Sequence, residues 1–123
     1  MKLKNILIVV SDIEKSKAFY HDLFGLDVIT DFGENVILTE GLVLQEKKSW
    51  EQLVGKEASY GGCDAELYFE ESDMDSFLEK LAGANHEIKY LNPCKKDGSG
   101  RRVLRMYDPD GHVIEIGEAT RKL

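Results

Sequence analysis

Apolar residues along the chain alternate between a strand rhythm and a helix rhythm. Residues 4 to 10, ending in Ile6-Leu7-Ile8-Val9-Val10, are rich in Ile and Val and predict a buried strand that stops at Ser11. Ser11-Asp12-Ile13-Glu14 has the form of a capping box, with the serine oxygen taking an orphan amide of the first turn. In the helix that follows, Ile13, Phe19, Tyr20, Leu23 and Phe24 keep to one face, Lys15 and Lys17 lie opposite, and Gly25 suits the C-terminal stop. Asp27 to Phe32, Val36 to Thr39 and Leu42 to Lys47, separated by Gly33-Glu34-Asn35 and Glu40-Gly41 turns, predict an antiparallel meander. The rhythm breaks from Lys48: Ser49 to Leu53 fits one helical turn, and Val54 to Asp64, with three glycines, reads as a loop.

The second half repeats the plan. Ala65 to Glu71 alternates as a strand, Ser72-Asp73-Met74-Asp75 is another capped start, and Met74, Phe77, Leu78 and Leu81 line a helix that ends near Gly83. His86 to Asn92 and Arg101 to Tyr107 predict strands around a polar loop, Pro93 to Gly100. Asp108-Pro109-Asp110-Gly111 is a turn by its chemistry, since proline presets one φ and glycine accepts a positive one. A last strand, His112 to Glu118, then puts Ile114 and Ile116 on one face and Val113, Glu115 and Gly117 on the other. Both halves read β-α-β-β-β, and Ser11-Asp12 matches Ser72-Asp73 at an offset of 61 residues.

With 123 residues, 42% hydrophobic and 32% charged, the chain is expected to form one domain, 1–123, made of a module at 3–48 and a module at 65–118 joined by a linker at 49–64. A net charge of -7 argues against nucleic acid and anionic membrane as partners and favours cationic or neutral small molecules. The longest early apolar run is too short for a signal peptide or a membrane span, so a cytoplasmic protein is expected. Cys63 and Cys94 form no Cys-x-x-Cys pair and read as free thiols. His21, His86 and His112 have no serine, cysteine or carboxylate at a triad-like spacing, and Asp97-Gly98-Ser99-Gly100 lacks the lysine of a phosphate loop.

Val-Ser-Asp-Ile-Glu-Lys-Ser-Lys-Ala-Phe-Tyr after the first strand and Asp-Pro-Asp-Gly-His-Val-Ile-Glu-Ile at the end, in a tandem β-α-β-β-β chain, resemble the vicinal oxygen chelate superfamily. That group holds glyoxalases, bleomycin-resistance proteins, fosfomycin-resistance enzymes and extradiol dioxygenases. The resemblance covers about residues 3 to 118. It implies an α+β fold in which two modules form a curled mixed sheet around a cleft, with the helices on the outer face, and it implies a homodimer. It does not fix the reaction, because one fold hosts many chemistries.

By the same resemblance, the positions that hold a divalent cation in metal-using members fall here on Asn5, Glu66 and Glu115, with Gln45 or a neighbour as the fourth. None is histidine. Two carboxylates and two amides form a hard oxygen set, suited to magnesium, manganese or calcium and less to zinc, nickel or iron, whose enzyme sites usually draw on imidazole. No cofactor is therefore favoured, with a divalent cation as the alternative. The bleomycin-resistance-like members, which bind a ligand without metal, suggest a small-molecule binding protein with an acidic and apolar cleft. The alternative is a glyoxalase-like lyase or isomerase using Glu115 or Glu66 as ligand or base, and a third is a structural or regulatory module with a vestigial cleft.

The ligand-binding candidates are Asn5, Gln45, Trp50, Glu66, Tyr68, Arg105, Tyr107 and Glu115, with Glu115 also the catalytic candidate. Each has a plainer reading: solvated strand residues for Glu66 and Glu115, backbone satisfaction for Asn5, core filling for Trp50, and an exposed cation for Arg105. If Leu104 and Met106 are buried under the helix, Arg105 shares the inner face with Tyr107 and is positioned to pair with Glu66 or Glu115.

Overall fold

A computed structural model describes residues 1–119. It divides into two compact units, one over Met1–Ser59 and one from Tyr60 onward. The first unit runs β1 (Ile6–Val10), α1 (Ile13–Phe24), β2 (Val28–Asp31), β3 (Asn35–Leu38), β4 (Leu42–Glu46) and α2 (Lys47–Val54). The second runs β5 (Glu66–Glu71), α3 (Met74–Ala82), β6 (Lys89–Lys96), β7 (Arg102–Tyr107) and β8 (Val113–Glu118). Each forms a four-stranded mixed sheet of the same order, β1-β4-β3-β2 and β5-β8-β7-β6. The opening strand of each unit lies parallel to the closing one, and the other neighbours are antiparallel. This is the expected α+β class with a repeated β-α-β-β-β order.

Side-chain alternation separates two faces of each sheet. In the first, Ile8, Leu44 and Val36 stand opposite one another across three strands, and Leu44, Val36, Val10, Leu38 and Leu42 are buried, whereas Ile8 is half-buried and β1, expected as a buried strand, buries Val10 alone. α1 contributes Ile13, Phe19, Tyr20 and Leu23 to the core and packs on β4. In the second, Leu104, Met106, Ile114 and Ile116 are buried on one face, and α3 buries Met74, Phe77 and Leu81. Each such side chain contributes about 1.5–3 kcal/mol by leaving water. These apolar rows fix the register, because a slip of one residue would exchange the faces.

Several elements differ from the sequence reading. The helix caps are Asp12 and Asp73, not Ser11 and Ser72: their Oδ1 atoms accept from Lys15 N at 3.1 Å and Ser76 N at 3.0 Å, the N3 bond of a capping aspartate. The segment expected to hold one helical turn is the eight-residue helix α2, which begins at Lys47, so β4 ends one residue early. Its N-cap is Glu46, and a Lys47–Glu51 pair at 2.9 Å braces it. β6 starts later than predicted and continues through Pro93 to Lys96. It is an edge strand with two register shifts, where a residue without an N–H is tolerated. No helix among the described residues is long and apolar enough to cross a membrane.

Candidate functional site

The face of the second sheet opposite its apolar rows carries the chemistry. Register places Glu66 beside Val113, Tyr68 beside Glu115, and Glu70 beside Gly117, while β7 sets Tyr107 opposite Val113, Arg105 opposite Glu115, and Val103 opposite Gly117. Glu66, Tyr68, Arg105, Tyr107 and Glu115 therefore share one face, as the alternation predicts.

Arg105 joins the two carboxylates. Its Nε donates to Glu66 Oε1 at 3.1 Å and its Nη2 to Glu115 Oε1. The Glu115 side chain is 16% exposed, against 37% for Glu66 and 36% for Arg105, so the guanidinium covers the more buried acid and reaches toward the outer one. The bond to Glu66 is the largest influence on the Arg105 guanidinium; desolvation, next in size, opposes it, and the charges of Glu115 and Glu66 with the bond to Glu115 keep it above its ordinary basicity. Val113 beneath is buried and Tyr107 half-buried.

One row along lies a feature the sequence reading did not single out. Arg101, just ahead of β7, donates from Nε to Glu118 O at 2.8 Å and from Nη2 to Tyr68 Oη at 2.7 Å. The two side chains meet over Gly117, where a Cβ would stand 2.7 Å from Arg101 Nη2 and 2.8 Å from Tyr68 Oη. A glycine inside a strand is a signal of such close approach, and Gly117 was the available clue.

The turn that launches β8 is built on Asp108, which is 3% exposed. Its Oδ1 accepts from the amides of Asp110 and His112, both at 2.9 Å, and its Oδ2 lies 2.8 Å from His112 Nδ1. Gly111 has φ 88°, the value that the turn requires. Tyr60 meets the His112 ring edge-on. Burial alone would lower the His112 pKa, but the hydrogen bond and charge of Asp108, with Asp110, outweigh it and raise the pKa above 6.5.

In the first unit, Gln45 is 4% exposed and lies in a row with Val9 and Asn35. Its Oε1 accepts from Asn35 Nδ2 and its Nε2 donates to Ser49 Oγ, each at 2.7 Å, which ties α2 to the sheet. Asn5 is exposed just before β1, near Gly41. Trp50 is half-buried on α2, which packs on β4 and β1. Leu7, Val43 and Ile37 make the next row, so this face is mostly apolar.

The donor set fits a divalent ion poorly. Glu66 and Glu115 converge on a guanidinium that already answers their charge, and the Gln45 oxygen is taken up by Asn35. Among the described residues, no three His, Cys, Asp or Glu side chains are grouped so as to hold a metal ion.

Two copies of β-α-β-β-β, with a polar cluster on the open face of a sheet and a closing strand launched from Asp-Pro-Asp-Gly, define a protein of the vicinal oxygen chelate superfamily. The chain belongs to the glyoxalase-like domain family, which matches residues 3–121. A crystal structure of a protein of unknown function from Agrobacterium tumefaciens is similar at 34% identity and TM-score 0.83, covering 98% of this chain and 95% of that one. The metallothiol transferase FosB of Lysinibacillus sphaericus is 22% identical over 96% of this chain and 82% of its own. The fosfomycin resistance protein FosX of Listeria monocytogenes is 27% identical over 96% and 90%.

Proposed function

We propose that this protein binds a small molecule on the open face of its second sheet, around Glu66, Arg105 and Glu115 and between Tyr68 and Tyr107, without a catalytic divalent ion. The observation that carries this reading is Arg105 bridging the two carboxylates. A tethered guanidinium there supplies the positive charge an ion would bring, and a metal would have to displace it. The tyrosine rings and the exposed Glu66 and Glu70 suit a cationic or aromatic compound. Calorimetry tests it: a panel of cationic and aromatic compounds should contain ligands that bind equally well with and without a chelator, at a stoichiometry of one per chain. Tight stoichiometric manganese or zinc binding, accompanied by turnover, would overturn it.

A second reading is favoured by the family itself and by a relative described as a metallothiol transferase. In it, the chain is a metal-dependent enzyme in which Glu115 or Glu66 serves as ligand or base once Arg105 has moved aside. Metal-stimulated turnover that disappears in Glu115→Gln would establish this alternative.

A further inference from the structure

Three arginines sit at or next to the two central strands of the second sheet, and their surroundings differ in kind. Arg102 is held by Asp75 at 2.6 Å and Glu118 at 3.0 Å, and Arg105 by Glu66 and Glu115. Arg101 pairs with no carboxylate among the described residues. Its two side-chain bonds go to a main-chain carbonyl and a phenol oxygen, and although its main-chain amide donates to Asp97 Oδ1 at 3.2 Å, no carboxylate among the described residues contacts the guanidinium itself. It is nevertheless fixed: Nε is tied to Glu118 O, Nη2 to Tyr68 Oη, and the absent side chain of Gly117 leaves the room in which they meet.

This anchoring leaves the Nη1 hydrogens and the second Nη2 hydrogen without a partner among the described residues. Because Tyr68 Oη accepts from Arg101, its own hydrogen is free to point away from the guanidinium. Arg101 and Tyr68 thus present several N–H and O–H donors at one place, on the same sheet face as the Glu66–Arg105–Glu115 cluster. A planar guanidinium with one edge left, between Nη1 and Nη2, matches the paired oxygens of a carboxylate or phosphoryl group. The Tyr68 residue is 46% exposed, so its ring also offers a surface for an aromatic ring.

We infer that Arg101 and Tyr68, meeting over Gly117, form an anchor for the carboxylate or phosphoryl group of an aromatic ligand. The inference rests on the reading that this face receives the ligand, and it narrows that ligand to one with an oxyanion at the Gly117 end. Asp97 and Glu70 also act on Arg101 electrostatically, which makes a bare anion a weak ligand and an anion attached to a ring a better one.

Benzoate and phenyl phosphate test this on the full chain by amide-resolved NMR titration in the presence of a chelator, with benzylammonium as a cationic control. Both anions are expected to shift the amides of Arg101, Tyr68 and Gly117. Arg101→Met should weaken both at least tenfold, Arg101→Lys should recover part of the loss, and Arg102→Met should leave both unchanged. Tyr68→Phe, which removes one donor while keeping the ring, should weaken them severalfold and guards against misfolding of the Arg101 variant. Anions that bind Arg101→Met as tightly as the parent, or that shift none of these amides, overturn the inference. If benzylammonium binds with the chelator present while the anions fail, the anchor alone is wrong. If nothing binds until a divalent ion is added, the metal-free reading fails as well.

Discussion

Glu115 shows how far one side chain's phase along a strand carries. Its neighbours Ile114 and Ile116 are buried, so it must point to the opposite face, where a carboxylate at 16% side-chain exposure needs a partner. Arg105 is that partner by the same logic, because Leu104 and Met106 occupy its other side. Removing a partner from a fully buried pair costs about 3–5 kcal/mol, but Arg105 is more than a third exposed. Arg105→Met should therefore destabilise by about 1–2 kcal/mol in urea unfolding, since solvent screens part of the uncompensated charge. Adding Glu115→Gln should restore most of that loss, and a double variant no better than the single one would refute the charge argument. This much was legible in the alternation of residues 104 to 116. That one guanidinium would reach both acids was not, because it depends on which strand lies beside which. Arg101 also shares parity with Arg105, but its reach over Gly117 follows from side-chain length and cross-strand register, which a single sequence does not state.

At the scale of elements, the strongest local chemistry was also the most readable. The Asp-Pro-Asp-Gly turn and the Gly25 stop stand where their residues predict them, and β5, β7 and β8 lie within one residue of the expected strands. The element read as a single helical turn, α2, is longer and largely polar: Leu53 and Val54 are exposed, and Ser49 is buried where it takes the Gln45 hydrogen bond. Trp50, Leu53 and Val54 stand at helical spacing, but so short a stripe announces a single turn and does not state the length of the helix. The turn before β8 carries a pH dependence of its own. The groups facing His112 are Asp108, Asp110 and the Tyr60 ring; burial lowers its pKa, but the hydrogen bond and charge of Asp108, with the charge of Asp110, outweigh that and raise it above 6.5. A raised folded pKa means that protonated His112 stabilises the fold fully below about pH 6.5, and that this contribution is lost as pH rises through the folded value. The stability difference between the parent and His112→Asn should therefore be largest near pH 5.5 and shrink toward pH 8.5. A difference that stays constant across that interval would assign His112 a packing role only.

For the whole molecule, the duplication preserves architecture and divides chemistry. Both units keep the same strand order and an apolar face, yet the opposite face is apolar with a buried amide row in the first and charged and aromatic in the second. Backbone order depends on which rows are buried, so two copies can keep it while their other faces diverge, and only the second copy offers a guanidinium between acids. If that guanidinium makes an ion unnecessary, divalent cations should be nearly invisible to stability. A metal that binds the folded chain and not the unfolded one adds about 4 kcal/mol at a thousandfold excess over its Kd, which for a chain of this size raises Tm by roughly ten degrees or more. The parent protein should melt within about one degree with millimolar manganese, with magnesium, or with a chelator, an interval well inside that linkage effect. A rise of several degrees with manganese, reversed by the chelator, would mean that Arg105 yields its acids to an ion, and the metal-dependent reading would then replace the one preferred above.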